Sequence, residues 1–79
     1  MSELTVYTTS WCPYCHRLAM DLDRAGIEFD DIDIEQTPDA ATIVEGFNNG
    51  NRTVPTVVFA DGTAMTNPSV AQVTAKLGS

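Results

Sequence analysis

Cys12 and Cys15 are the only cysteines in the chain, and Pro13 and Tyr14 alone separate them. Two thiols at this spacing can close a disulfide and reopen it, which makes thiol–disulfide exchange the natural chemistry. Pro13 suits the first turn of a helix, where its missing N–H removes no hydrogen bond. Cys12 then falls at the helix N-terminus, where free backbone N–H groups and the positive end of the dipole favour a thiolate. Cys12 therefore reads as the nucleophile, on the outside of the turn. Cys15 lies one turn further in, better shielded, and reads as the resolving thiol. Tyr14 can offer an aromatic wall to a substrate, while His16 and Arg17 follow within the helix and receive no chemical step.

Two other uses of the pair are weaker. A structural zinc site needs four ligands, and only Cys12, Cys15 and the single His16 are at hand. A purely structural disulfide would close a very small loop and restrict the unfolded chain little. A second stretch supports redox use. Arg52-Thr53-Val54-Pro55-Thr56 sets a proline directly before a strand, which suits a cis X–Pro bond and a sheet-edge proline equally. A cis bond would turn the Val54 N–H and C=O outward, where an extended thiol substrate could pair with them as an added strand does.

The elements that must position these residues follow from periodicity. Leu4-Thr5-Val6-Tyr7-Thr8 alternates and is rich in β-branched and aromatic residues, which predicts a strand. A helix is predicted over residues 13–25, with Leu18, Leu22 and Ala25 on one face and Gly26 as its stop. A second strand is expected near residues 28–33. Thr37-Pro38-Asp39 marks a second helix start, with Ala40, Ile43, Val44 and Phe47 as its apolar face and Asn48-Asn49-Gly50-Asn51 ending it. Thr56-Val57-Val58-Phe59 is a third strand. Asp61-Gly62 signals a hairpin, returning over residues 63–66. Asn67-Pro68 opens a last helix carrying Val70, Val73 and Leu77. The order βαβ followed by ββα gives an α/β fold: a mixed four-stranded sheet flanked by three helices, with a right-handed crossover in the first unit.

Size and charge set bounds. Seventy-nine residues suffice for a single domain, 1–79, and no repeat or linker divides them. Eleven acidic residues against four basic give a net charge of −7, which argues against nucleic acid or an anionic membrane as partner. No apolar run approaches the roughly 20 residues of a membrane span. Met1-Ser2-Glu3-Leu4 lacks the basic and apolar regions of a signal peptide, so a cytoplasmic monomer is expected.

Together these residues resemble the glutaredoxin branch of the thioredoxin-fold proteins, over almost the whole chain. The family's Cys-Pro-Tyr-Cys appears at Cys12–Cys15 and its Thr-Val-Pro at Thr53–Pro55. The resemblance implies a thioredoxin/glutaredoxin-like fold and a dithiol oxidoreductase with no tightly bound cofactor. Its substrates would be S-thiolated proteins, with a low-molecular-weight thiol as co-substrate. By the same likeness Trp11, Pro13, Tyr14, Arg52, Thr53, Val54, Pro55, Thr66, Asn67 and Ser69 would line the groove for that thiol.

The pattern departs from the glutathione-using members at two places. Thr9 stands where they typically carry a lysine. Met65-Thr66-Asn67-Pro68-Ser69 replaces their Gly-Gly…Asp turn before the last helix. Both changes remove groups suited to a charged peptide thiol and leave hydroxyls and amides suited to a sugar-like one. Three segments look most similar to the mycoredoxin branch, whose actinobacterial members work with mycothiol: residues 7–12, 50–57 and 66–69. Mycothiol is therefore the expected co-substrate, with glutathione as the alternative. A hydrogen donor to ribonucleotide reductase, recharged by an NADPH-dependent flavin reductase, shares the fold. Such donors usually carry a Trp-Ser-Gly-Phe-Arg-Pro-type turn that this chain lacks. An iron–sulfur module shared between two subunits is disfavoured by Pro13, which keeps the turn between the cysteines tight.

Overall fold

The computed structural model describes residues 4–78; the reading of Met1-Ser2-Glu3 lies outside them. Four strands and three helices follow in the order β1 (Leu4–Thr8), α1 (Pro13–Arg24), β2 (Phe29–Asp33), α2 (Pro38–Phe47), β3 (Thr56–Phe59), β4 (Ala64–Thr66) and α3 (Val70–Leu77). The sheet order is β2-β1-β3-β4. β1 and β2 run parallel, with Val6 opposite Asp31, while β3 pairs antiparallel with both β1 and β4. This is the mixed sheet and α/β thioredoxin-like architecture that the element order predicts.

Strand alternation divides the core in two. Leu4, Val6, Val57 and Phe59 point to one face, where they pack with Leu18 and Leu22 of α1 and Val73 of α3. Tyr7 points to the other face and meets Ile34 and the α2 residues Ala40, Ala41 and Val44. Phe29 packs on the first face and Ile32 on the second, so Asp31, in phase with Phe29, lies on the α1 side of the sheet, where it stays exposed to solvent. Leu22, Val6 and Val57 are fully enclosed, and each such side chain contributes about 1.5–3 kcal/mol relative to exposure.

Four details differ from the periodicity reading. Cys15, Leu18 and Leu22 form the buried face of α1, whereas Ala25 caps the helix and is exposed. The buried stripe thus runs from the first turn of the helix to Leu22 and stops short of its C-cap. On α2 the buried stripe is Ala40, Ala41 and Val44, with Ile43 and Phe47 each 44% exposed. Ala40, Ala41 and Val44 pack against Tyr7 and Ile34, which turns the larger Ile43 and Phe47 to the helix flank. Thr37 is the α2 N-cap residue, yet its side chain makes no capping hydrogen bond. The last helix starts at Val70 rather than at Asn67-Pro68. Ser69 and Gln72 form a reciprocal capping box, Ser69 Oγ accepting from Gln72 N at 3.2 Å and Gln72 Oε1 from Ser69 N at 2.8 Å. Asn67 ahead of it takes a left-handed φ of 47°.

No helix among the described residues is long and apolar enough to cross a membrane.

Candidate active site

α1 begins where β1 ends, so the loop Thr9-Ser10-Trp11 carries Cys12 to the helix N-terminus. Cys12 is the N-cap residue, in extended conformation at φ −87° and ψ 111°, and its sulfur takes the role a serine or aspartate oxygen usually plays. The backbone N–H of Cys15 donates to Cys12 Sγ at 3.3 Å. On its other side Cys12 Sγ lies 4.0 Å from the carbonyl oxygen of Val54. The Val54–Pro55 bond is cis, one of the two forms left open by the sequence. The sequence places Cys12 on the outside, but the structure makes the two sulfurs almost equally sheltered: Cys12 is 4% and Cys15 2% exposed. The strand-end loop and the proline segment close over Cys12 together. What separates the sulfurs is therefore their electrical setting.

Cys15 is the disfavoured anion. Burial, then its hydrogen bond with the Cys12 side chain, push the Cys15 thiol up from 9.0 to about 12. The charge of Asp31 acts in the same direction, and a hydrogen bond to the Thr9 backbone opposes it. Both cysteines are free thiols.

Of the other predicted site residues, some converge on this point and some turn away. Trp11 and Tyr14 stand 69% and 66% exposed beside the cysteines, and the Trp11 indole donates to Glu35 Oε1 at 3.0 Å. Pro13 is exposed at the first position of α1, while Pro55 is buried. Tyr14, Asn67 and Ser69 share a groove of about 310 Å³ with Arg17 and Asp21. The Ser69 hydroxyl, however, is engaged in the α3 cap. The Arg52 guanidinium pairs with Glu45 at 2.8 Å, and Thr66 Oγ1 donates to Asn48 Oδ1 at 2.6 Å, so both turn toward the end of α2. Thr53 supplies its carbonyl to the Thr56 hydroxyl at 2.7 Å. Thr9, expected to leave a hydroxyl for a ligand, is 4% exposed, and its Oγ1 is buried without a hydrogen-bond partner among the described residues.

Sequence reasoning passed over Asn48, read only as a helix end. Its amide nitrogen donates to Val44 O at 2.8 Å and Thr56 Oγ1 at 3.1 Å, which fixes the loop before β3 to α2. Arg17 and Asp21 were also missed as groove residues. Their spacing of four, with Tyr14 three residues earlier, puts all three on one face of α1 and was the available signal. Among the described residues no group of three or more His, Cys, Asp or Glu is placed to hold a metal ion.

The glutaredoxin family model matches residues 4–64, which takes in the cysteine pair, the proline loop and the sheet up to the start of β4. The chain belongs to the glutaredoxin family. It is 57% identical over 76 residues to a Mycobacterium tuberculosis protein named as a glutaredoxin, covering 96% of this chain and 90% of that one. It is 51% identical over 77 residues to Mycoredoxin 1 of Corynebacterium glutamicum, covering 98% of this chain and 95% of the relative. A solved glutaredoxin from Archaeoglobus fulgidus superposes with a TM-score of 0.82 at 24% identity, over 100% of this chain and 89% of that chain, and so supports the fold. As a glutaredoxin with its Cys12–Cys15 pair in place, the protein is a thiol–disulfide oxidoreductase.

Proposed function

We propose that this glutaredoxin reduces mixed disulfides between proteins and mycothiol, with Cys12 as nucleophile and Cys15 as resolving thiol. The observation that carries the roles is the unequal setting of the two sulfurs. Cys12 Sγ receives a backbone N–H, which stabilises negative charge there, while Cys15 is buried and held protonated. In the first step the Cys12 thiolate attacks the mycothiol sulfur of the mixed disulfide. That S–S bond breaks, the protein thiolate leaves and takes a proton from solvent, and Cys12 carries the mycothiol. A second mycothiol thiolate then attacks the sulfur on Cys12, releasing oxidised mycothiol and restoring the Cys12 thiolate. Alternatively Cys15 attacks Cys12, mycothiol leaves reduced, and the Cys12–Cys15 disulfide forms.

The preference for mycothiol rests on two supports. The chain is 51% identical to a relative named mycoredoxin over 98% of its length. The groove beside Tyr14 offers Arg17, Asp21 and Asn67, donors and acceptors suited to sugar hydroxyls. Glutathione is the alternative co-substrate.

The test is turnover of one client carrying either mycothiol or glutathione. Faster reduction of the mycothiol adduct is expected. Equal or faster reduction of the glutathione adduct contradicts the preference. Direct reduction of the oxidised protein by a flavin reductase and NADPH, with neither thiol present, would favour the hydrogen-donor role instead.

A further inference from the structure

Behind the cysteines, on the side away from the groove, lies a polar cavity of about 230 Å³ lined in part by Thr8, Thr9, Cys15, His16, Asp31 and Asp33. It is roomy and polar enough to admit several water molecules. Two of its carboxylates come from β2, Asp31 exposed to solvent and Asp33 half-buried. They are not equivalent. Asp33 Oδ1 is taken up by the Glu35 N–H at 2.9 Å, and His16 Nε2 meets the Ser10 carbonyl at 2.7 Å. Asp31 is held by the buried Thr8 hydroxyl, which donates to its Oδ1 at 2.6 Å. That bond fixes the solvent-exposed Asp31 carboxylate on the wall of the cavity that Cys15 also lines.

The Cys15 thiol has a difficulty that this arrangement meets. To resolve a mixed disulfide it must lose its proton, yet burial and a neighbouring negative charge both oppose a free thiolate there. A carboxylate that only repels the thiolate would hinder the second step. A carboxylate that takes the proton as the new S–S bond forms would remove the obstacle, because the two negative charges never coexist.

We propose that Asp31, held by Thr8, accepts the Cys15 proton across this cavity during resolution. The inference rests on the reading of Cys15 as the resolving thiol. As Cys15 Sγ attacks Cys12 Sγ, its proton passes through cavity solvent to Asp31. The Cys12–Cys15 bond forms, the bond from Cys12 to the small thiol breaks, and that thiol leaves with the electron pair. Asp31 then returns the proton to bulk water through its exposed side.

A symmetrical aromatic disulfide that liberates a coloured thiolate separates the steps. Its first equivalent reports attack by Cys12, at a rate that depends on reagent concentration. Its second reports resolution by Cys15, at a rate that does not. The leaving aromatic thiolate needs no proton, so the second phase isolates the fate of the Cys15 proton. In D31N the second phase should slow, relative to the first, by about tenfold or more at neutral pH. Its rate should then rise in proportion to hydroxide, more steeply than in the unaltered protein. A purely electrostatic role predicts the opposite, since losing the negative charge would ease Cys15 ionisation and speed the second phase. T8V keeps the carboxylate but removes the hydroxyl that holds it, and should slow the same phase to a smaller extent. A second phase as fast as or faster than the unaltered protein's in both variants overturns the proposal. Absence of a first phase in the unaltered protein would overturn the reading of Cys12, and this inference with it.

Discussion

Two turns of this small fold handle their polar groups in opposite ways. In the β3–β4 hairpin the Asp61 carboxylate accepts from Thr63 N at 3.0 Å, Thr63 Oγ1 at 2.6 Å and Lys76 Nζ at 3.0 Å. Those bonds, Thr63's first and Lys76's after, hold the Asp61 carboxyl down at about 2. The loop between β1 and α1 does the reverse. It buries the Thr9 hydroxyl without a partner and seats Cys15 where its anion is disfavoured. One turn spends its polar atoms on closing the fold, whereas the other leaves a buried hydroxyl unpaired beside a thiol held protonated. Among the described residues the unsatisfied buried side-chain atom, Thr9 Oγ1, lies in the loop that leads to Cys12.

Breaking the reactive end should have the larger consequences. C12S should abolish thiol exchange on every disulfide substrate, because the remaining sulfur is buried and protonated; any client disulfide reduced at the original rate would contradict the roles assigned. C15S should lose activity on intramolecular protein disulfides while keeping it on mixed disulfides with the small thiol, measured on matched substrates. Equal loss on both would rule out the single-thiol route.

The contrast also predicts opposite responses to pH. Cys15 binds its proton more tightly in the folded state than in the unfolded chain. Its contribution to the reduced fold is therefore complete below 9.0 and is lost as pH climbs toward about 12. Urea unfolding of the reduced protein should show a falling midpoint in that alkaline range, and C15S should flatten it. Asp61 works at the acid end. Its carboxyl is lowered from 3.8 to about 2, so its contribution is present above the ordinary carboxylate value and lost as pH falls toward about 2. D61N should erase that acid-side slope with little effect on exchange activity. Smaller still in reach, S69A removes the α3 cap and should cost about 1 kcal/mol, read as a lowered unfolding midpoint with the slope unchanged.

Sequence and structure agree where one local signal decides the matter. Pro13 and Pro38 mark the starts of α1 and α2, and Thr56-Val57-Val58-Phe59 is β3 as alternation predicts. At the last helix two signals compete. Asn67-Pro68 resembles a cap followed by proline, but the reciprocal bonds of Ser69 and Gln72 fix the start two residues later, and Ser69-Val70-Ala71-Gln72 already carried that spacing. The flank position of Ile43 and Phe47 follows from which side of α2 meets Tyr7 and Ile34, which periodicity along one helix does not contain.

The site divides in the same manner. The cysteine spacing identifies the pair and the helix start, so Cys12 and Cys15 were evident from residue types alone. Their near-equal burial was not, because it comes from the Val54–Pro55 segment folding over from 42 residues away. Nor could alternation in β2 reveal that Asp31 shares a cavity with Cys15, since that requires the parallel register of β1 and β2 together with the packing of α1 on the sheet.

The most direct measurement is the site and rate of alkylation of the reduced protein by a small electrophile at neutral pH, followed by mass spectrometry of the peptides. A single adduct on Cys12, formed faster than on an ordinary exposed thiol, is the result expected from a sulfur that accepts a backbone N–H beside a protonated neighbour. Equal labelling of both cysteines, or labelling of Cys15 first, would contradict it.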